Sequence, residues 1–159
     1  MIKKIDNTEL EAAVNLANQV FHEFIAEGYS EEGRQTFTNY LDFKLEEMNE
    51  DLISGHKVLW GFYEDGRIVG VIGTRDELHI SLMFVDKDYH HRGIARALFD
   101  TVLAELKSQH PGDPFVLTVN SSPYAVAVYH RFGFVDIAGE QENNGIRFVP
   151  MKMTINQHE

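Results

Sequence analysis

Apolar side chains recur at helical spacing along the first third of the chain. Leu10, Val14, Ala17, Phe21 and Phe24 form one stripe, and Thr8 followed by Glu11 fits a capping box in front of it. Gly28 predicts the stop and Ser30 a new cap. Phe37, Leu41, Leu45, Met48 and Leu52 then predict a second helix, closed by Ser54-Gly55. From there the period shortens to that of strands. Val58–Tyr63 and Arg67–Thr74 flank Glu64-Asp65-Gly66, which predicts a hairpin turned on Asp-Gly. His79–Val85 predicts a third strand after a polar turn near Arg75-Asp76. Helical spacing returns with Ile94, Leu98, Val102 and Leu106, and Pro111-Gly112 ends that helix. Phe115–Val119 has the β-branched character of a buried strand, and Ser122-Pro123 opens a helix reaching about Phe132. Gly133–Ala138 and Ile146–Ile155 predict two closing strands around the polar turn 142–145. With a short edge strand over 2–5, the order is β-α-α-β-β-β-α-β-α-β-β, an α/β fold on a mixed sheet.

A chain of 159 residues suits one domain, 1–159, with its own core. The absence of cysteine excludes disulfides, thiolate metal sites and cysteine nucleophiles. No apolar run nears the roughly 18 residues of a membrane span, and no apolar segment follows the lysines of the first six residues. The expectation is a cytoplasmic protein with no membrane partner. Lys and Arg number 14 against 25 Asp and Glu, and a net charge of −11 opposes nucleic acid as a partner. Residues 1–56 hold 4 basic and 12 acidic side chains, a balance that suits either a cationic amine or a solvated surface.

One stretch departs from that acidic character. Between the strand 79–85 and the helix from Ile94 the sequence runs Asp86-Lys-Asp-Tyr-His-His-Arg-Gly-Ile-Ala-Arg96. A strand feeding a glycine turn and a helix leaves unpaired N–H groups at the helix N-terminus, where the helix dipole favours an anion such as a pyrophosphate. Gly93 and the small Ala95 allow close approach, and His90, His91, Arg92 and Arg96 surround the turn with donors. Walker and dinucleotide-fold glycine patterns are both absent.

The stretch Tyr89-His-His-Arg-Gly-Ile-Ala-Arg-Ala-Leu98 resembles the acetyl-CoA pyrophosphate loop of the GNAT superfamily of N-acetyltransferases, usually Gln/Arg-x-x-Gly-x-Gly/Ala. A later segment, Tyr129-His-Arg-Phe-Gly-Phe134, resembles that family's Tyr-x-x-x-Gly-Phe block, and the element order agrees. The resemblance implies transfer of an acetyl group from acetyl-CoA to a primary amine, with coenzyme A released and no metal. It implies that the N–H groups of 91–96, Ile94 among them, hold the pyrophosphate. Main-chain groups near Phe84 and Val85 would pair with the pantetheine arm beside a diverging strand 115–119. Ser122 stands where many members have an asparagine, with Asn120 as a substitute, and His90 replaces the usual Gln/Arg. Tyr129 matches the tyrosine that protonates the departing thiolate. Many members also pair as homodimers.

For the base, strand alternation places Glu77, His79, Ser81 and Met83 on one face if no bulge intervenes. His79 is the first candidate and Glu77 the reserve. Aromatic residues Phe24, Tyr29, Phe37, Tyr40 and Phe43 lie among Glu23, Glu27, Glu31 and Glu32, a set that suits a small-molecule or peptide amine or simply a helix core. A metal on His79, His90 and His91 lacks any supporting ligand spacing. The competing reading is a module of this fold that binds acetyl-CoA, or a partner, without transfer.

Overall fold

The computed structural model describes residues 1–25, 30–36 and 45–156. Strand β1 (Ile2–Lys4) leads to helix α1 (Leu10–Val20), which widens into a π-helical turn over Phe21–Ile25. Residues 31–36 are helical, and α2 spans Leu45–Ser54. Next come β2 (Lys57–Glu64), β3 (Arg67–Arg75), β4 (His79–Val85), α3 (Ile94–Gln109), β5 (Phe115–Ser121) and α4 (Val126–Phe132). Short strands β6 (Val135–Asp136) and β7 (Gln141–Asn143) precede β8 (Ile146–Ile155). The sheet order is β1-β2-β3-β4-β5-β8-β6, with β7 paired to β8. Every pairing is antiparallel except β4 with β5.

Helices cover both faces of the sheet. On one, α1 buries Leu10, Ala13, Val14, Ala17 and Val20 against Leu59, Ile68, Val71 and Phe84. On the other, α3 and α4 bury Ile94, Leu98, Phe99, Val102 and Phe132 against Val69, Ile72, Ile80, Leu117 and Met151. Phe99 and Phe132 stack with centroids 4.7 Å apart. A Cβ on Gly70 would sit 2.9 Å from Ile94 Cγ2, so the bare backbone of β3 is what lets the start of α3 press so close.

The hairpin, β4, α3 and β8 lie where the hydrophobic period predicts them. The capping box does not form: Thr8 donates both its amide and its hydroxyl to Asp6, and α1 starts from Glu9 without a side-chain cap. Glu9 instead accepts from the Tyr63 hydroxyl at 2.7 Å and lies 3.0 Å from Lys3, which ties the helix start to the β1 edge. The segment expected as one strand over Gly133–Ala138 forms only the two-residue β6. The polar turn 142–145 contracts to Asn144-Gly145, both with positive φ, because Gln141–Asn143 joins β8. The predicted continuity of the second helix falls on 37–44, outside the described residues.

Candidate active site

Strands β4 and β5 part from one another soon after they meet. They pair at two registers, His79 with Thr118 and Ile80 with Val119, and Thr118 N donates to Leu78 O at 3.0 Å. Along β3, Gly70 faces Val85 and Asp86 N donates to Val69 O at 2.8 Å. Antiparallel pairs alternate, so Val85 and Met83 turn their own N–H and C=O groups away from β3 into the gap, while Phe84 spends its main chain on β3. The open-edge positions are therefore Met83 and Val85, not the adjacent pair Phe84 and Val85. The gap holds a cavity of about 970 Å³. There His90 Nε2 donates to Val85 O at 2.9 Å, which leaves the Val85 N–H as the exposed donor.

The same cavity reaches the start of α3. Asp86 is buried and accepts from Asp88 N at 3.0 Å and from Arg67 at 2.7 Å, fixing the turn Lys87–Tyr89. His91 and Gly93 then take φ of +63° and +77°. The first helical bond runs from Ala97 N to Gly93 O at 2.9 Å, so the amides of 91–96 have no backbone acceptor among the described residues. A Cβ added to Gly93 would meet nothing within 4 Å: the protein leaves that side empty. A row of free amides beside unfilled space fits a pyrophosphate. His91, Gly93, Ile94, Ala95 and Arg96 line the cavity. Arg92 does not; its guanidinium lies 4.8 Å over the Tyr89 ring.

Tyr129 enters from α4, only 3% exposed, with Phe132 and Phe134 edge-on at 6.0 and 5.4 Å. It lines the cavity, and its hydroxyl bonds to no other described residue. Burial pushes that hydroxyl's pKa above the usual value for a phenol, so it stays protonated. Asn120 and Ser122 line the cavity from the end of β5. The Ser122 hydroxyl accepts from Ala125 N at 3.3 Å and so acts as the cap of the following turn.

The base candidates lie elsewhere. Gly73 faces Leu82 and Thr74 faces Ile80, so Ser81 is an extra residue in β4, a β-bulge. Its Oγ and Leu82 Cγ would both approach a Cβ on Gly73, at 3.3 and 3.4 Å, which puts Ser81 and Leu82 on the α1 face together. Met83 is thereby turned to the α3 face, so the expected common face breaks at the bulge. Ser81 and Met83 line the cavity, whereas His79 and Glu77 do not. His79 Nδ1 lies 2.8 Å from Thr118 Oγ1, and burial, then the charge of Arg75, lowers its pKa below the usual histidine value. Glu77 sits in the exposed turn before β4 and binds His110.

A comparison with protein families matches residues 25–155 to the acetyltransferase (GNAT) domain. The chain belongs to the GNAT family of acetyltransferases. As a GNAT chain it is an acyltransferase of the acetyl-CoA-dependent class. Solved structures share the fold. A GCN5-related N-acetyltransferase from Rhodopseudomonas palustris superposes with TM-score 0.79 at 17% identity, over 98% of this chain and 95% of that one. The PaiA N-acetyltransferase of Thermoplasma acidophilum, in complex with coenzyme A, gives 0.76 at 16% identity over 98% of each chain. The ribosomal-protein-S18-alanine N-acetyltransferase of Escherichia coli gives 0.61 at 19% identity, over 100% of this chain and 96% of that one. No curated protein sequence matches.

Around the GNAT fork one cavity is lined by Val85, His90, His91, Gly93, Ile94, Ala95, Arg96, Asn120, Ser122 and Tyr129, all singled out in the sequence, together with Phe84. Several lining residues carried no local signal: Arg75 at the end of β3, Ser81 at the bulge, Thr36, Arg131, and Phe148 on β8. Of the acidic set, Glu23 pairs with Lys87 at 3.1 Å and Glu31 and Glu32 are exposed. Tyr29, Phe37, Tyr40, Phe43 and Glu27, with the side chain of Phe24, lie outside the described residues. No group of metal-ligating side chains occurs among the described residues, and no helix there is long and apolar enough to cross a membrane.

Proposed function

We propose that this chain transfers an acetyl group from acetyl-CoA to a primary amine by direct attack at the fork. One observation carries the reading: a single cavity joins the unpaired amides of 91–96 to the protonated hydroxyl of Tyr129. Bound there, acetyl-CoA supplies an activated thioester. The amides of 91–96 hold its diphosphate, and the main-chain edge at Met83 and Val85 aligns the arm as an added strand. The Val85 N–H polarises the thioester carbonyl. His79, neutral near pH 7, takes the amine's proton through an intervening water. As the N–C bond forms and the C–S bond breaks, Tyr129 gives its proton to the departing sulfur. His79 is preferred to Glu77 because Glu77 is engaged by His110 on the outer surface.

The alternative reading, a module that binds acetyl-CoA without transfer, has His90 on its side. It replaces the usual Gln/Arg, and its Nε2 is spent on Val85 O. Titration calorimetry with acetyl-CoA and coenzyme A, followed by thiol release across an amine panel, separates the two. Binding with thiol release is the expected result. Binding without release for any amine supports the module, and no binding of either ligand overturns both readings.

A further inference from the structure

Among the described residues the cavity lining is non-acidic. Arg75, Arg96 and Arg131 reach it, with His90 and His91, and no described carboxylate lines it, although the chain carries 25 acidic residues. Arg96 and Arg131 belong to the α3 and α4 side, where the diphosphate is held. Arg75 is remote from them: it ends β3, opposite His79, and shares the lining with Ser81, Thr36, Asn143 and Asn144. No ion pair or hydrogen bond joins the Arg75 side chain to another described residue. The acidic side chains that follow it are committed elsewhere, Asp76 to His56 at 3.2 Å and Glu77 to His110. The helical stretch 31–36 holds this end together. Thr36 Oγ1 donates to Asn144 O at 2.9 Å, and a Cβ on Gly145 would come within 2.6 Å of Gly33 Cα. Among the described residues the acceptor end thus presents one guanidinium, with no side-chain partner, among neutral amides and hydroxyls. A purely cationic acceptor would be repelled there, whereas a carboxylate matches the fork of a guanidinium.

We propose that the acceptor is a small amine that also carries a carboxylate, and that Arg75 grips the carboxylate while the amine faces Ser81 and the fork. The inference deepens the acetyltransferase reading and rests on it. Its test is thiol release with acetyl-CoA and matched acceptors: amino acids, the same amino acids as methyl amides, and the corresponding decarboxylated amines. The carboxylated members are expected to exceed the others by about ten- to a hundredfold in kcat/KM, mostly through KM. Arg75→Gln should bring that ratio close to one, Arg75→Lys should retain part of it, and Arg75→Glu should invert it. Calorimetry with acetyl-CoA and a thermal melt show that each variant is folded. Equal kcat/KM across the matched acceptors overturns the proposal, as does a preference for diamines or a ratio that survives Arg75→Gln. Should a variant fail to fold, the matched acceptors on the unaltered protein decide alone. Loss of acetyl-CoA binding by the unaltered protein is a distinct result, and it overturns the transferase reading itself.

Discussion

On the proposed reading, the two ends of the cavity recognise their ligands by different means. At the α3 end the recognition groups are main-chain amides, presented by a left-handed turn and a strand edge. At the β3 end they are side chains from β3, β4, the 31–36 stretch and the β7–β8 turn, drawn together from distant parts of the chain. A backbone cradle should tolerate changes of side chain, His90 in place of the usual Gln/Arg among them, because its donors survive. A side-chain pocket is rewritten by single substitutions. The lesson is that one end of this enzyme should be robust and generic, and the other fragile and specific.

Six substitutions would break or sharpen that contrast. Tyr129→Phe has the largest expected effect: about a hundredfold loss of kcat, with acetyl-CoA affinity held within about twofold, read by steady-state kinetics and calorimetry. Unchanged turnover would retire its acid role. Gly93→Val should weaken acetyl-CoA binding by about ten- to a hundredfold. The β-branched residue is strained at φ +77° and its side chain fills the space beside the amides. His91→Ala and Arg92→Ala, measured alongside, should each change affinity by about threefold or less if the main chain dominates.

His79→Ala should cost about tenfold in kcat at pH 7. The loss should shrink toward pH 9–10, where the acceptor amine supplies its own neutral form; a flat ratio across pH would argue against a base. The same histidine has a stability signature. Its folded pKa lies below the unfolded value near 6.5, so the unfolded chain binds the proton more readily. Stability should fall as the pH drops below about 6.5, and His79→Ala should flatten that slope in urea melts. Ser122→Ala has the smallest effect, about 1 kcal/mol of stability from the lost cap and under twofold in acetyl-CoA affinity. A larger affinity loss would show that Ser122 touches the ligand.

What the sequence revealed follows the same division. Gly93 between a strand and a helix, amid basic residues, marks a backbone site because the glycine itself is the signal. Tyr129 is legible through the Tyr-x-x-x-Gly-Phe block, in which Gly133 takes φ +113° at the end of α4. Arg75 was invisible: it reads as a turn residue, and only the β3–β4 pairing carries it to the cavity. The shared face of Glu77, His79, Ser81 and Met83 holds only without a bulge, and nothing in the run His79–Val85 announces that Ser81 is supernumerary. The capping box failed because Asp6, two residues upstream, outcompetes the helix for Thr8.

The supernumerary Ser81 has a further consequence. Before it, even-numbered positions of β4 point toward α3; after it, odd-numbered positions do. Removing that one residue would leave Ile80, Leu82, Met83, Phe84 and Val85 in plain alternation, each still facing its present core. The opposite change, keeping all seven residues of β4 but drawing Ser81 into the ladder, would send one flank of the strand to the wrong cores on both sides of the sheet at once.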